Sequence, residues 1–272
     1  MGILSEEDFR KLTLYIKNKF GIHLGREKKT LVEGRLHKVF LSLGIDDAND
    51  YYQYLLQDKT GQADKILANA ITTNHTFFMR ESQHFKYFSE EILPCFLKKI
   101  SDNDLRTWCA ACSTGEEAYT LAMIIQDFFS LQKQSWDTKL LATDLSTSAL
   151  NDARLGIYND ESIDILPKRW RKTYFKQINE NNFQVKNFLK NEIIFRQFNL
   201  NNPQFSFKKK FHIIFCRNVM IYFDRVTRKE LVNKFYQWLE PGGYLFIGHS
   251  EVIERGEFSF QYVMPAVYRK GL

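Results

Sequence analysis

The sequence has no apolar run approaching the roughly 18 residues needed to cross a bilayer. Its opening, Met1 to Asp8, turns acidic where a signal peptide would be basic and then apolar. These two absences lead to the expectation of a cytoplasmic protein without membrane insertion. Cysteine is scarce: Cys95, Cys109, Cys112 and Cys216 are the only four in 272 residues. All lie in apolar contexts, so reduced thiols are expected. Cys109 and Cys112 have C-x-x-C spacing, but no second pair and no paired histidines follow at ligand spacing. No metal is therefore expected, and two small residues at a strand-to-helix turn is the preferred reading. The phosphate fingerprint G-x-G-x-x-G is missing, which argues against a dinucleotide. There are no internal repeats and no sign of obligate oligomerisation, so a monomer is expected.

What is present is the composition of a globular protein, 44% hydrophobic and 26% charged, with a net charge of +6. The charge is concentrated. From Lys168 to Lys210 eleven Lys/Arg stand against Glu180 and Glu192, a net of +9, which leaves the remainder slightly acidic. A basic stretch of this kind is either a surface for an acidic partner or a merely solvated face.

The first seventy residues read as helical. Ser5 with Asp8 three residues on makes a capping-box-like start. Phe9, Leu12, Ile16 and Phe20 recur at helical spacing until Gly21. A second helix is predicted from Lys28 to Leu43, with Leu31, Val32, Leu36, Val39, Phe40 and Leu43 as its apolar face and Gly44 as its stop. Two shorter helices follow around 50–56 and 62–71. After a helix at 82–99 the pattern changes to alternating strands and helices. Strands are predicted at 105–110, 139–143 (ending at Asp144), 192–198, 211–216 and 244–248, with a terminal antiparallel hairpin at 258–269. Repeated βα units imply a largely parallel sheet covered by helices on both faces. Between Tyr158 and Glu192 the alternation lapses into a basic, Asn-rich segment that reads as a small insertion. The expected organisation is an all-helical domain over 1–72 and an α/β domain over 73–272, with an inserted antiparallel β-subdomain at about 158–192.

In an open α/β sheet the ligand lies beyond the carboxyl ends of the strands, next to strand one. Here that turn is Ala111-Cys112-Ser113-Thr114-Gly115-Glu116-Glu117, whose small residues let the backbone approach a ligand at a helix N-terminus. Asp144 ends the second strand, where a carboxylate can accept hydrogen bonds from both ribose hydroxyls; the alternative is a helix cap. Together these features suggest a nucleoside cofactor without a pyrophosphate, and S-adenosylmethionine fits.

Four blocks then resemble the chemotaxis receptor-glutamate methyltransferase (CheR) family. They are Thr72-Thr-Asn-His-Thr-Phe-Phe-Met-Arg80-Glu81, Ala111-Cys-Ser-Thr-Gly-Glu-Glu117, Phe215-Cys-Arg-Asn-Val-Met-Ile-Tyr-Phe-Asp224 and Gly248-His-Ser-Glu251. The resemblance implies a Rossmann-like class I S-adenosylmethionine methyltransferase that esterifies receptor glutamates and releases S-adenosylhomocysteine. It implies cofactor contacts from Asn74, Thr76, Arg80, Glu117, Asp144, Asn199, Leu200, Arg217 and Asn218, with Tyr222 near the transferred methyl. Arg80 and Tyr222 are the candidates for orienting the reacting groups. Each of these residues also has a structural alternative: Arg80 could pair with Glu81, Tyr222 could be core, and Asn199 could be a turn residue. His249 is read as a packing or hydrogen-bonding residue rather than a general base.

Two departures from the family pattern bear on function. Cys112 stands where the family often has Ala. The loop Lys176-Gln-Ile-Asn-Glu-Asn-Asn182 carries no glycine and is shorter than that of relatives that dock a receptor's C-terminal peptide. The implied partner is therefore the receptor's methylation region itself, met without a pentapeptide tether through Lys28, Arg35, Lys38 and the basic insertion, with the enzyme recruited to receptor arrays. A nucleic-acid methyltransferase would carry an Asn/Asp-Pro-Pro-aromatic motif after the fourth strand, where this chain has Arg217-Asn218-Val219-Met220, so no nucleic-acid partner is expected. A non-catalytic module that senses the cofactor or scaffolds receptors is the other alternative.

Overall fold

A computed structural model of the protein describes residues 4–130, 135–254 and 258–272; the first three residues of the expected helical domain lie outside it. Helix α1 (Glu6–Phe20) starts where the Ser5 hydroxyl accepts the Asp8 N–H at 3.1 Å. It stops where Gly21 takes the left-handed conformation at φ 77° that a side chain would resist. The stripe Phe9, Leu12, Ile16 and Phe20 is buried as its spacing predicts. Helix α2 (Lys29–Leu43) buries Val32, Leu36, Val39 and Phe40 and ends at Gly44. Leu31, expected on that buried face, is instead 50% exposed and lines a cavity. Helices α3 (Ala48–Gln57) and α4 (Gln62–Ile71) complete the bundle.

A linker of residues 72–81 leads into α5 (Ser82–Tyr87), a π-helical turn at Phe88–Ile92 and α6 (Leu93–Lys99), which together occupy the single helix expected there. The α/β part then runs β1 (Thr107–Cys109), α7 (Glu116–Phe128), β2 (Leu140–Asp144) and α8 (Thr147–Leu155). The insertion follows as β3 (Ile157–Asn159), α9 (Asp160–Asp164), α10 (Lys168–Tyr174), β4 (Phe175–Gln177), β5 (Asn182–Val185) and α11 (Asn187–Lys190). The main sheet resumes with β6 (Ile193–Gln197), β7 (Phe211–Phe215), α12 (Arg225–Trp238), β8 (Leu239–Phe246) and the hairpin β9 (Phe260–Met264) and β10 (Val267–Lys270).

The seven strands lie in the order β6-β2-β1-β7-β8-β10-β9. The first five are parallel, and β10 and β9 are antiparallel to their neighbours. Strand β8 begins five residues earlier than its apolar run suggests, because Pro241-Gly242-Gly243 is absorbed in a register shift against β7. The insertion forms its own antiparallel sheet, β3-β5-β4. Its tight turn has no glycine; the Asn179 side chain accepts from the Asn181 and Asn182 N–H groups at 3.0 and 2.8 Å instead.

Alternation along the strands divides the core between the two faces of the sheet. On one, Phe215 stacks on Phe246 at 4.2 Å beneath Phe85 and Phe88. On the other, Trp108 sits among Phe198, Phe205, Phe207, Phe211 and Phe235, its indole N–H donating to Thr143. This second core is continuous with the interior of the helical bundle, so α1–α4 pack directly against the α/β layer. Among the described residues no helix is long and apolar enough to cross a membrane.

Candidate functional site

Because five strands are parallel, their carboxyl ends open on one edge of the sheet, where the following turns diverge and leave a crevice. The turns after β1, β2, β6 and β7 form one wall of a cavity, and α1, α2 and the linker form the other. It encloses about 1190 Å³ including its open mouth. Asn74, Thr76 and Arg80 from the linker line it, with Glu117, Asp144, Asn199, Leu200, Arg217, Asn218 and Tyr222 from the α/β side.

The β1 turn is shaped by backbone geometry. Gly115 caps α7 at φ 104°, and a Cβ there would meet the Tyr158 hydroxyl at 2.8 Å. That hydroxyl donates to the Thr114 carbonyl at 2.7 Å, so the insertion braces the turn. Ser113, at φ 49°, donates its hydroxyl to the Asn74 carbonyl and its N–H to Asp144 Oδ2, at 3.1 and 2.8 Å. Asp144 also accepts the Ser146 N–H at 2.9 Å, while Ser146 itself caps α8. The carboxylate therefore lines the cavity and holds the residue before α8, but the helix cap, its alternative role, is Ser146. Burial pushes its pKa above the usual range, opposed by the N–H groups of Ser146, Ser113 and Leu145.

The β7 turn is held by charge. The Arg217 side chain is 1% exposed. Its Nη2 donates to the Arg80 carbonyl and to Glu81 Oε2, the latter at 3.0 Å, and its Nη1 lies 3.1 Å from Glu117 Oε2. Nε and Nη1 are nonetheless buried without a hydrogen-bond partner among the described residues. Nη1 keeps its ion pair with Glu117, whereas Nε is an orphaned donor that costs about 1–3 kcal/mol unless a ligand meets it. Burial also pushes Glu117 above the carboxylate range; Arg217 and the Cys109 thiol, donating at 3.2 Å, pull it back. The Cys109 and Cys112 thiols are pushed well up by burial, so both stay protonated, which suits a packing role.

Two acids to which the sequence motifs assign no role organise this wall. Glu81, in the left-handed region at φ 56°, accepts from Arg217, from Asn218 Nδ2 at 3.1 Å and from the His249 N–H. Glu251 accepts four backbone N–H groups: Gly248 at 2.5 Å, Met220 at 2.6 Å, Asn218 at 3.0 Å and Ile221 at 3.3 Å. It thereby fixes the turn that carries Arg217, Asn218 and Tyr222. Gly248 is required beside it, since a Cβ would stand 2.6 Å from Asn218 Nδ2. The signal available in sequence was that both acids end matched blocks.

Other expected residues are placed differently. Asn199 is a turn residue as well as a lining one: its side chain accepts from Asn201 N–H and donates to the Lys19 carbonyl at 2.8 Å. Arg80 does not pair with Glu81; it donates to the His75 carbonyl at 2.9 Å and stacks over Phe77. Lys28 lines the cavity with its ammonium 5.9 Å from the Tyr222 ring centre. Arg35 lines it too, but its guanidinium is spent on the end of α4 and the start of the linker, donating to the Ile71 carbonyl at 2.5 Å and to the Thr73 hydroxyl at 2.9 Å. Lys38 is exposed and does not line the cavity. Part of the basic stretch is likewise consumed internally: Arg171 pairs with Asp164 and Asp160, and Lys186 and Lys190 donate to backbone carbonyls.

The arrangement fits the cofactor that the sequence suggested. Two carboxylates, an orphaned guanidinium donor and an apolar wall of Leu145, Phe198 and Leu200 suit a molecule with a cationic end, an anionic end and an adenosine. Comparison with known proteins agrees. Residues 7–72 match the family model described as CheR methyltransferase, all-alpha domain, and residues 74–268 match CheR methyltransferase, SAM binding domain. The chain is 42% identical to the chemotaxis protein methyltransferase of Borreliella burgdorferi, over 98% of this chain and 95% of that one. It is 34% identical to the chemotaxis protein methyltransferase of Escherichia coli, over 97% and 91%. With both modules matched in order and such relatives spanning nearly its whole length, this chain belongs to the CheR methyltransferase family and carries its S-adenosylmethionine-binding domain.

Proposed function

We propose that this protein methylates glutamate side-chain carboxylates of chemotaxis receptors, producing methyl esters and S-adenosylhomocysteine. The observation that carries the reading is the polarity of the cavity. Glu117 and Asp144 stand on the strand side, whereas Lys28, Arg35 and Arg80 stand on the helical and linker side. The first set suits the cofactor's ribose and ammonium; in the second, Lys28 and Arg80 suit an anionic acceptor.

When bound, S-adenosylmethionine supplies an electrophilic methyl on a sulfonium. A glutamate is already ionised at pH 7, so no protein group has to remove a proton, and neither His75 nor His249 is needed as a base. The chain's task is positioning and exclusion of water. Asp144 holds the ribose hydroxyls, Glu117 the ammonium of the methionine part, and the orphaned donor of Arg217 its carboxylate. Asn74, Thr76 and Asn218 complete these polar contacts, and Asn199 and Leu200 border the adenine. Arg80 and Tyr222 orient the acceptor carboxylate toward the methyl. Lys28 and the exposed Lys38 attract an acidic receptor segment, while Arg35 acts indirectly by fixing the linker that presents Asn74 and Thr76. The turn of the insertion, closed on itself by Asn179, supports recognition of the methylation region without a pentapeptide tether. This reading places the protein at receptor arrays.

The test is transfer of label from methyl-labelled S-adenosylmethionine to receptor-enriched membranes. Label released as methanol by mild base is expected. Arg80→Ala and Tyr222→Phe should lower the rate at least tenfold while circular dichroism stays unchanged, and added receptor C-terminal pentapeptide should leave the rate unchanged. Base-stable label, or no transfer, contradicts glutamate esterification; slowing by the pentapeptide contradicts tether independence.

A further inference from the structure

Outside the cavity lining, behind the Arg217–Asn218 turn, Glu81, His84 and His249 bring ligand-type atoms within 4.8 Å of one another. The His84 ring is fully buried, and its Nε2 lies 3.2 Å from the Pro265 carbonyl. A carbonyl only accepts, so Nε2 carries the hydrogen. With Nε2 as the donor, the neutral tautomer leaves a lone pair on Nδ1. That Nδ1 has no hydrogen-bond partner among the described residues. It faces Glu81 Oε2 at 3.5 Å, which is a second acceptor.

Two acceptors turned toward each other with no proton between them repel unless they share a cation. Their spacing suits one. Zinc–nitrogen and zinc–oxygen bonds of about 2.0–2.2 Å put tetrahedral ligand atoms roughly 3.3–3.6 Å apart. His249 closes the group from the solvent side, its ring edge-on to His84 at 4.7 Å, and its backbone N–H donates to Glu81 Oε1 at 3.3 Å. A carbonyl on the far nitrogen of His84 and donors on Glu81 are the outer-shell partners that orient metal ligands.

We propose that Glu81, His84 and His249 form a binding site for one divalent transition-metal ion of the zinc class, with water completing a tetrahedral set. Two imidazoles with one carboxylate favour zinc, cobalt or nickel over magnesium or calcium, which prefer oxygen ligands. Arg217, 3.0 Å from Glu81 Oε2, opposes a second cation and keeps the affinity moderate. Glu81 and His84 are three residues apart, but His249 lies 168 residues from Glu81, so no metal-motif spacing marks the group in sequence.

The experiment titrates Zn²⁺ alone into the chelator-stripped full chain by calorimetry and records visible spectra with Co²⁺. Neither measurement involves the cofactor, so the outcome is separable from the methyltransferase reading. About one equivalent of saturable binding is expected, with intense tetrahedral cobalt bands. His249→Ala, at an exposed position, should weaken binding roughly tenfold or more and abolish the bands. His37→Ala, an exposed histidine elsewhere, should change neither. No saturable binding below millimolar metal, an unchanged affinity in His249→Ala, or weak octahedral cobalt bands would overturn the proposal.

Discussion

Arg106 and Arg217 sit at opposite ends of the same sheet, each at the centre of a charged network, and they differ in one respect. Arg106, before β1, has every nitrogen engaged. Nε donates to the Lys210 carbonyl at 2.6 Å, Nη1 to Asp104 Oδ2 at 2.9 Å and Nη2 to Glu240 Oε1 at 3.0 Å. Lys209 and His212 complete that group. Arg217, after β7, is more deeply buried, 1% against 16% exposed, yet among the described residues its Nε has no hydrogen-bond partner and its Nη1 only the Glu117 ion pair. A satisfied network at the amino ends of the strands is a clamp. The network at the carboxyl ends lines the cavity, and its Nε is left without a partner among the described residues, which under the proposed function is a donor for the ligand. The topology of a parallel sheet thus puts the satisfied network at one end and the incomplete one at the other.

The largest effect expected from this contrast is on stability. Arg217→Met leaves Glu81 and Glu117 buried without their cation, and unfolding in urea should show a loss of about 3–5 kcal/mol. Arg106→Met removes a more accessible and solvent-screened network and should cost about 1 kcal/mol. Equal losses would erase the distinction.

A smaller effect concerns pH at the clamp end. Burial first, and Arg106 second, hold His212 down at about 4, and its Nδ1 accepts the Arg106 N–H at 3.1 Å. Its folded pKa lies below the unfolded value of roughly 6.5, so its contribution is complete above that pH. It is lost as the pH falls toward 4, because the unfolded chain takes up the proton first. The urea midpoint should therefore fall less steeply from pH 6.5 to 4 in His212→Gln than in the parent protein. Identical slopes would show that His212 is not held neutral by the fold.

The local rules were legible in the sequence and the through-space ones were not. Ser5, Gly21 and Gly44 mark helix ends by capping chemistry, and Asp144 marks the end of β2, because the causes lie within a few residues of each. Matched blocks then pointed to the residues that line the cavity. Leu31 obeys the helical period yet is exposed, because the bundle leaves that end of α2 open to the cavity. Arg35 and Lys38 look equivalent on one helix, but only Arg35 meets the linker carbonyls. Glu251 has one local partner, the Gly248 N–H, but its bonds to Asn218, Met220 and Ile221 exist only because β8 returns the chain beside the β7 turn. The pairing of Glu81 with Arg217 likewise depends on a fold that joins distant segments.

The account is tested most directly by calorimetric titration of S-adenosylmethionine into the parent protein, Arg217→Lys and Arg106→Lys. Lysine keeps a positive charge at each position but lacks the guanidinium fork. Binding should weaken at least roughly tenfold in Arg217→Lys, the loss of about one charge-assisted hydrogen bond, and stay within twofold of the parent in Arg106→Lys. Equal affinity in all three proteins, or the greater loss in Arg106→Lys, would contradict the assignment of the strand-end cavity and its unpaired arginine donor to the cofactor.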